Sequence, residues 1–343
     1  MRAAVLYGPH NLRFEEVPDP SPRPDEAVVR VSVNGICGSD IHFFDQGKLG
    51  PFVVDRPYIP GHEASGVIAE EARDGSGPKQ GTRVTIEPGI PCRRCMLCKS
   101  GRYNLCRDVV FMSAPPVNGT FAELAAVATD FLHPLPDRVS DEAGAFVEPI
   151  SVAMQACNRA RLRAGQSVTI LGAGSIGLLT MLVARAFGAS EVYVADVLDS
   201  RLSVASSLGA SAIINSKNDD LRAEIDRLTK GNGAETVFDT SGSSAACAAA
   251  PLLAARGGKV VLVGWPERGE FPWPVEVAIE KELDVVGVNR YCNTYPRAIA
   301  LLQAGLVDVA PLVTHRFPFE KVCDAFSFTL SNRASTIKVM VGG

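Results

Sequence analysis

Four cysteines within one short loop form the densest cluster of chemically reactive side chains in the sequence. They follow the pattern Cys-x2-Cys-x2-Cys-x7-Cys, whose short steps let a single loop wrap around a tetrahedral metal ion. Four thiolate ligands leave no open position, so the pattern is typical of a structural zinc that holds a loop and does no chemistry. The spacing matches no ferredoxin pattern, and a disulfide or redox role is the alternative interpretation. The predicted structural ligands are Cys92, Cys95, Cys98 and Cys106.

A second set of possible metal ligands precedes that loop and offers three different donor atoms. Cys37 follows a predicted strand, and His62 and Glu63 are adjacent in the segment Pro60–Gly66. Sulfur, nitrogen and oxygen donors that leave one position for water or substrate are typical of a catalytic zinc. Taken singly, a cysteine or histidine before a turn is more often a core or surface residue than a ligand. Its combination with a second zinc loop and a cofactor motif in the same chain favours a metal site.

A glycine-rich turn predicts a dinucleotide-binding site. The segment Gly172–Gly177 has the pattern Gly-x-Gly-x-x-Gly, follows a predicted strand, opens a predicted helix and precedes Asp196. The glycines allow a tight turn and close approach of a pyrophosphate, and the helix N-terminus offers free N–H groups to the phosphates. The carboxylate of Asp196 can accept hydrogen bonds from both ribose hydroxyls and would repel a 2′-phosphate. The motif therefore favours NAD over NADP.

Further residues complete the predicted cofactor site. Arg201 can contact the adenosine end of the cofactor, although it could equally be a solvated helix residue. Val263 and Val288 end two later predicted strands, and Arg290 follows the last of them. The predicted cofactor-binding residues are Gly172, Gly174, Ser175, Ile176, Gly177, Asp196, Arg201, Val263, Val288 and Arg290.

The elements that must position these residues change character near residue 150. Residues 1–150 hold short runs rich in β-branched residues between Pro/Gly clusters, which indicates a mostly β domain. From about Val152, apolar strands alternate with amphipathic segments, as in a parallel sheet covered by helices on both faces. We therefore predict an α/β protein with a β-rich domain over 1–150 and 291–343 and a doubly wound domain over 151–290. The predicted strands are Ala27–Val33, Arg83–Ile86, Ser167–Leu171, Glu191–Ala195, Thr236–Phe238, Lys259–Val263 and Asp284–Val288, and the predicted helices are 172–187, Ser200–Leu208 and Ser243–Ala255.

The composition is that of an ordinary globular protein. Of 343 residues, 46% are hydrophobic and 21% are charged, and 34 basic against 38 acidic side chains give a net charge of −4. This balance excludes a largely disordered chain and gives no electrostatic footprint for nucleic acid or an anionic membrane. The uncharged stretch Val168–Ala184 contains three glycines and is shorter than the about 20 apolar residues of a spanning helix. With no N-terminal targeting segment evident, we expect a soluble cytoplasmic protein whose nine cysteines stay reduced.

Taken in order along the chain, these motifs resemble the zinc-containing medium-chain alcohol dehydrogenases. The resemblance covers essentially the whole sequence and implies a GroES-like catalytic domain joined to a Rossmann NAD-binding domain. It is strongest for the polyol group, typified by sorbitol (L-iditol) dehydrogenase, because Glu148-Pro149 stands near the place where simple alcohol dehydrogenases have a cysteine. The motifs that carry it are Gly61-His62-Glu63, the four-cysteine loop, Gly172–Gly177, Gly101–Cys106, Val147–Val152 and Arg290–Thr294.

The resemblance also implies roles for individual residues. Cys37, His62 and Glu63 would bind a catalytic zinc, and Glu148 would bind it either directly or through a water molecule. The zinc would serve as a Lewis acid toward the substrate hydroxyl, and hydride would move from the carbinol carbon to NAD. Ser39 would take the hydroxyl proton, and His42, at the place of the family's relay histidine, would pass it to solvent. The implied assembly is a homotetramer with one catalytic and one structural zinc per subunit.

The expected substrate is a small polyol of the sorbitol or xylitol type, which is oxidised at a secondary hydroxyl to the ketose. Phe111 would wall the pocket, and Arg290 can bind additional hydroxyls, although an interdomain ion pair is the alternative role for Arg290. Such polar contacts suit a polyhydroxy substrate better than ethanol, because a simpler alcohol would leave buried donors unpaired. The predicted substrate contacts are Ser39, Phe111, Glu148, Arg290 and Tyr291.

Two other functions stay open at this point. L-threonine 3-dehydrogenases and vicinal-diol (butanediol) dehydrogenases share the zinc and Glu-Pro patterns, and the run Arg290–Thr294 favours a polyol over their substrates. A non-catalytic zinc-binding interaction module, for example one for nucleic acid, is a different class of function. The net charge of −4 and the complete dinucleotide motif count against such a module.

Overall fold

The computed structural model describes residues 1–266 and 270–342, which form two compact units. Unit 1 contains Met1–Glu148, Tyr295–Ala304 and the chain from Val309 onward, and unit 2 contains Pro149–Thr294 and Gly305–Asp308. The chain thus leaves unit 1, forms unit 2 and then returns. The divisions at 148 and 294 differ by a few residues from the predicted boundaries at 150 and 290, so that Tyr291 lies in unit 2.

Strands dominate unit 1, and strands and helices alternate in unit 2. The strands are β1 Arg2–Leu6, β2 Leu12–Glu16, β3 Glu26–Gly35, β4 Lys48–Leu49, β5 Phe52–Val53, β6 Glu63–Glu70, β7 Arg83–Ile86, β8 Gly89–Ile90, β9 Val110–Phe111, β10 Leu124–Ala128, β11 Leu132–Pro134, β12 Ser167–Leu171, β13 Glu191–Asp196, β14 Ala212–Asn215, β15 Ala234–Asp239, β16 Ala254–Leu262, β17 Asp284–Gly287, β18 Val313–Phe317 and β19 Lys338–Gly342. The helices are α1 Gly38–Gln46, α2 Met96–Lys99, α3 Asp141–Ala145, α4 Val147–Ala160, α5 Ser175–Ala186, α6 Asp199–Ser207, α7 Leu221–Leu228, α8 Ser244–Leu253, α9 Val275–Glu280, α10 Tyr295–Gln303 and α11 Val322–Ser331.

Unit 1 is organised around a seven-stranded sheet with β3 near its centre. The strand order is β11-β7-β6-β3-β19-β18, and β10 also pairs with β3. Strand β3 has the β-branched run that predicts a strand, and its first half is buried at Ala27, Val28 and Val29. Two apolar clusters pack in this unit, one that includes Phe121 and Phe326 and one that includes Ile68 and Ile86. Strand β19 joins this sheet beside β3, so residues 338–342 belong to the same sheet as residues 26–35.

Unit 2 is a parallel six-stranded sheet flanked by helices. The strand order is β14-β13-β12-β15-β16-β17, and each of its pairings is parallel. The apolar run of β12 is buried at four consecutive residues, as expected for a strand covered on both faces. The chain runs outward from β12 to β14 and then crosses to β15 on the other side. Such a reversal marks the place where doubly wound sheets bind ligands.

The predicted fold class, a GroES-like domain together with a Rossmann sheet, is confirmed. Strands β7 and β12 have the predicted bounds, whereas the predicted helix Ser243–Ala255 ends at Leu253, because β16 begins at Ala254, three residues after Pro251. Strand β14 and helix α7 were not predicted. Among the helices of residues 1–266 and 270–342, none is long and apolar enough to cross a membrane.

Candidate active site

Two strand ends and the middle of a third strand meet at Gly35 in unit 1. Strand β3 ends there, and its register places Gly35 opposite Glu63, the first residue of β6, and opposite Met340 of β19. A Cβ atom at position 35 would collide with the carboxylate of Glu63, so glycine at this position leaves room for that buried side chain. The segment that follows β3 therefore begins beside the segment that opens β6.

This convergence brings together the three ligands predicted for a catalytic zinc. Cys37 lies two residues after β3 and caps the N-terminus of α1, while His62 and Glu63 stand at the start of β6. One donor atom from each of Cys37, His62 and Glu63 lies within 4.8 Å of the other two. His62 and Glu63 are buried, and Cys37 is partly exposed. The set of sulfur, nitrogen and oxygen donors, open on one side, fits a catalytic zinc ion.

Asp40 connects the two segments that carry these ligands. Its side chain is fully buried, and its Oδ2 accepts a hydrogen bond from the Cys37 N–H at 3.0 Å. Its Oδ1 accepts one from the Gly61 N–H at 3.2 Å and lies 3.7 Å from Nδ1 of His62. A carboxylate at this position orients a ligand histidine and fixes the loop beside it.

Lys338 forms a buried ion pair with Glu63. Its Nζ donates to Oε1 and Oε2 of Glu63 at 2.8 and 2.5 Å and to the carbonyl oxygen of Ile36 at 3.3 Å. Lys338 is 3% exposed and Glu63 is 1% exposed, so neither charge has water as an alternative partner. The first residue of β19 thus holds the carboxylate that faces Cys37 and His62.

The local electrostatic potential favours a cation at this site. Burial by itself lowers the pKa of His62, but the negative charges of Asp40 and Cys37 outweigh burial and raise that pKa well above its usual value. Burial also lowers the pKa of Lys338, and the charges of Glu63 and Cys37 again raise it overall. Glu148 contributes to both increases. A divalent cation would be stabilised by the same negative charge.

The other residues predicted for this centre lie around it in unit 1. Ser39 and His42 are partly buried in the first half of α1, directly after Cys37. The ring of Phe111 lies 5.7 Å from that of His62. Glu148 is 5% exposed at the start of α4, and it does not belong to the group of donors within 4.8 Å of one another.

The four-cysteine loop brings its sulfur atoms together as a second cluster. Sγ–Sγ distances are 3.4 Å between Cys95 and Cys98 and 3.9 Å between Cys92 and Cys98 and between Cys95 and Cys106. A disulfide requires about 2.05 Å, whereas a tetrahedral zinc with sulfurs at about 2.3 Å separates them by about 3.8 Å. Backbone N–H groups of Arg94 and Cys95 lower the pKa of Cys92 to about 6, which favours the thiolate that a metal binds. The cluster fits a structural zinc.

The glycine-rich turn in unit 2 has the close contacts that its pattern predicts. Gly172 has a φ of +99°, and a Cβ on Gly177 would collide with the Gly172 carbonyl oxygen. Near Gly174 a Cβ would meet only Nη1 of Arg201, at 3.8 Å, so the backbone there is open to a ligand. Oγ of Ser175, at the N-terminus of α5, is buried without a hydrogen-bond partner in the described part of the chain. An orphaned hydroxyl beside free helix N–H groups fits a bound pyrophosphate.

The sheet register places the other predicted cofactor residues of unit 2 along one edge. Asp196 ends β13, and it accepts hydrogen bonds from the Ala173 N–H at 2.6 Å and the Leu198 N–H at 2.9 Å. Val263 and Val288 directly follow the paired ends of β16 and β17. These residues and the glycine-rich turn therefore share the carboxyl edge of the sheet. Arg290, with a φ of +53°, and Tyr291, which is 3% exposed, follow β17 in the same unit.

Two residues at the metal centre escaped the sequence analysis. Lys338 interrupts the apolar run Ile337–Val341, and a lone charge in a strand-like run was the available signal for a buried ion pair. Ser113, which contacts both Asp40 and Gly61, follows Phe111 in a loop that has no sequence signal of its own.

Comparison with known proteins accounts for both halves of the chain. Residues 23–137 match the alcohol dehydrogenase GroES-like domain, and residues 175–304 match the zinc-binding dehydrogenase domain. The sorbitol dehydrogenase of Bacillus subtilis (strain 168) is 40% identical over 341 residues, which cover 99% of this chain and 97% of that protein.

Solved structures show the same architecture. The 2R,3R-butanediol dehydrogenase from Bacillus subtilis aligns with a TM-score of 0.91 at 29% identity. The alignment covers 100% of this chain and 99% of the butanediol dehydrogenase chain. An alcohol dehydrogenase from Escherichia coli CFT073, solved with NADH, aligns with a TM-score of 0.92 at 27% identity and covers 100% of this chain and 99% of the other. The match to the sorbitol dehydrogenase covers 99% of this chain and therefore extends over both domains. This chain is therefore an oxidoreductase of the zinc-containing medium-chain alcohol dehydrogenase family.

Proposed function

We propose that this enzyme oxidises a secondary hydroxyl of a polyol of the sorbitol or xylitol type to the ketose and transfers the hydride to NAD+. The observation that carries the proposal is the set of sulfur, nitrogen and oxygen donors on Cys37, His62 and Glu63, which lie within 4.8 Å of one another. The 40% identity to a sorbitol dehydrogenase over 99% of the chain supports a polyol as the substrate.

The chain's own residues divide the work of the reaction. Zinc, when bound at the Cys37 site, supplies the Lewis acid that makes the substrate hydroxyl easier to deprotonate. Ser39 takes the hydroxyl proton and His42 passes it to solvent, as their places in the first turns of α1 allow. Glu148 binds the zinc directly or through water. Phe111, Arg290 and Tyr291 contact the substrate.

The cofactor proposal depends on the carboxyl edge of the sheet in unit 2. Asp196 binds the adenosine ribose and selects NAD over NADP, and Arg201 contacts the adenosine end. The loop of Gly172–Gly177 with Ser175 and Ile176 binds the pyrophosphate, while Val263, Val288 and Arg290 complete the site. The other cluster, Cys92, Cys95, Cys98 and Cys106, holds a second, structural zinc.

We also infer a homotetramer in the cytoplasm. Strand β17 is at the edge of its sheet and has Val285 44% exposed, and the nearby side chain of Ile279 in α9 is 73% exposed. An apolar sheet edge of this kind is suited to cover by another subunit. None of the nine cysteines, all of which lie in the described part of the chain, forms a disulfide, as is usual in a reducing compartment.

A substrate panel tests the proposed reaction. Purified enzyme with NAD+ is assayed on sorbitol, xylitol, galactitol, butane-2,3-diol and threonine, and the panel is repeated with NADP+. We expect kcat/KM to be highest for a polyol and NAD+ to be preferred. If threonine or butanediol is turned over fastest, the polyol proposal is wrong. Butanediol is included because one of the similar solved structures is a 2R,3R-butanediol dehydrogenase.

The variant Cys37→Ser tests the catalytic metal independently of the substrate. We expect the wild-type protein to contain two zinc ions per chain and the variant to contain one, by elemental analysis of the purified proteins. NADH binding, followed by fluorescence, should persist because the cofactor loop belongs to unit 2. Full activity in Cys37→Ser would contradict the proposed role of the site.

A further inference from the structure

Ser113 joins the two segments that carry the metal ligands, although it lies on a third. It follows β9 in a loop, is 3% exposed and has a φ of +68°. Its Oγ accepts a hydrogen bond from the Gly61 N–H at 2.9 Å and donates one to Oδ1 of Asp40 at 2.9 Å. One buried hydroxyl thus contacts the Pro60–Gly61 peptide, one residue before His62, and the Asp40 carboxylate that accepts from the Cys37 N–H.

The oxygen that Ser113 contacts is the one that faces the ligand histidine. Oδ1 of Asp40 lies 3.7 Å from Nδ1 of His62, beyond hydrogen-bond distance, and that nitrogen is buried without a hydrogen-bond partner among the residues described. A histidine that binds metal through Nε2 carries a hydrogen on Nδ1, which a nearby carboxylate usually accepts. The position of Oδ1 therefore decides how the imidazole is oriented, and Ser113 shares that oxygen.

The backbone at Ser113 indicates that the side chain is needed where it is. A φ of +68° lies in the left-handed region, where a residue with a Cβ is strained and glycine is not. Glycine would relieve the strain but would remove the hydroxyl that contacts Gly61 and Asp40. The strain can thus be separated experimentally from the hydrogen bonds.

We propose that Ser113 is a positioning residue for the metal site of Cys37, His62 and Glu63. Its hydroxyl fixes the position of Oδ1 of Asp40 relative to the Gly61 N–H, so that the ring of His62 is oriented toward the metal. Because Phe111 lies two residues earlier and packs 5.7 Å from the His62 ring, the same loop fixes the proposed substrate wall relative to the metal. The inference rests on the proposed function, since it assumes that this donor set binds a catalytic metal.

Two substitutions separate the hydroxyl from the strain. Ser113→Ala removes the hydroxyl and keeps the strained φ, whereas Ser113→Gly removes the hydroxyl and relieves the strain. We expect both variants to bind Co2+ at the Cys37 site about 10–100-fold more weakly than wild type, as is usual when the partner of a ligand histidine is disturbed. The measurement is a Co2+ titration followed by the absorption that disappears in Cys37→Ser.

The four-cysteine cluster serves as an internal control in the same molecules. Zinc release from Cys92, Cys95, Cys98 and Cys106 to a chelator should keep its wild-type rate in both variants, because Ser113 contacts none of these residues in the hydrogen bonds of the described chain. Metal-free Ser113→Gly should melt at a higher temperature than metal-free Ser113→Ala. If both variants lose Co2+ affinity only at the Cys37 site, although Ser113→Gly is more stable than Ser113→Ala, the hydroxyl positions the site and the loss does not come from unfolding.

Three outcomes would overturn the inference. Unchanged Co2+ affinity in both variants would show that the hydroxyl does not position the site. If Ser113→Gly keeps the wild-type Co2+ affinity and only Ser113→Ala loses affinity, the effect comes from backbone strain. If both clusters lose metal in parallel, the effect comes from general unfolding. If Cys37→Ser leaves the wild-type Co2+ spectrum unchanged, the metal site itself is wrong, and the inference fails together with that part of the proposed function.

Discussion

Asp196 has hydrogen bonds within the chain and a proposed contact with the cofactor. Its two oxygens accept hydrogen bonds from the Ala173 and Leu198 N–H groups, and the side chain is 9% exposed at the end of β13. The carboxylate therefore shapes the glycine-rich turn, in addition to its proposed contact with the ribose of the cofactor. A change at this residue affects both the turn and the choice of cofactor, and the two effects can be separated.

For Asp196→Ala we expect kcat/KM with NADP+ to rise relative to that with NAD+ by about tenfold or more, because the repulsion of a 2′-phosphate is removed. We also expect a loss of about 1–3 kcal/mol in the free energy of unfolding, because buried N–H groups lose their acceptor. Steady-state kinetics and urea unfolding measure the two effects. Asp196→Asn keeps an acceptor without the charge, so it should show the cofactor effect with a smaller loss of stability. An unchanged NAD preference in both variants would show that Asp196 does not bind the ribose.

The buried pair of Lys338 and Glu63 gives a second prediction at the scale of single residues. Lys338→Met leaves Glu63 buried without its counter-ion, and we expect the metal-free protein to lose about 3–5 kcal/mol of unfolding free energy. Adding Glu63→Gln removes the unpaired charge and should recover much of that loss. Urea unfolding measures the free energy of unfolding of the wild type, the two single variants Lys338→Met and Glu63→Gln, and the double variant, which together form a double-mutant cycle. Additive effects in the double variant would contradict a coupled ion pair.

At the scale of elements, the turn between β12 and α5 uses its glycines for different purposes. The space at Gly177 is filled by the carbonyl group of Gly172, whereas the space at Gly174 is open except for the Arg201 side chain. One glycine is required by the packing of the helix on the turn, and the other leaves room for a ligand. Single alanine substitutions distinguish these two requirements.

We expect Gly177→Ala to destabilise unit 2 by about 1–3 kcal/mol, because backbone atoms cannot move aside for the new Cβ. Gly174→Ala should melt like wild type, since its Cβ would make an ordinary contact at 3.8 Å, yet it should weaken NADH binding because the methyl group occupies the approach of the pyrophosphate. Thermal melts and NADH fluorescence titrations give both quantities. Normal NADH affinity in Gly174→Ala would place the pyrophosphate elsewhere.

At the scale of the whole molecule, the two edges of the sheet in unit 2 form a matched pair. Val285 on β17 is 44% exposed and Ile213 on β14 is 42% exposed, so a lysine at either position meets a similar environment in the single chain. We expect Val285→Lys to lower the solution mass below that of a tetramer, because a charge would be buried in the proposed subunit contact. Ile213→Lys should keep the wild-type mass. Light scattering after size exclusion measures both, and a tetramer in Val285→Lys would exclude β17 from the interface.

Much of the architecture could be predicted from the sequence because its signals are local. The β-branched runs gave the bounds of β7 and β12, and the glycine pattern located the turn that precedes α5. Strand β14 and helix α7 were not predicted, because only Ile214 of the four residues of β14 and only Ile225 of the eight residues of α7 are buried. Short elements bury too few side chains to show a clear period.

The candidate metal site was predictable in its ligands but not in its supports. Cysteine and histidine are rare enough for their spacing to be informative, so Cys37 and His62 could be selected from the sequence. Serine and lysine are common, and neither Ser113 nor Lys338 belongs to a spacing pattern. Their roles depend on contacts with Asp40, Gly61 and Glu63 that only the folded chain makes.

The sequence by itself determined which donor atoms are available, how the two domains alternate along the chain and where the cofactor turn lies, because each of these is encoded within a few neighbouring residues. The tertiary structure decided which distant residues meet. Pairing of Gly35 with Glu63 and with Met340 brings Lys338 to a carboxylate 275 positions away in the chain. Strand register across such separations depends on the packing of the whole sheet, and no local pattern of residues specifies it.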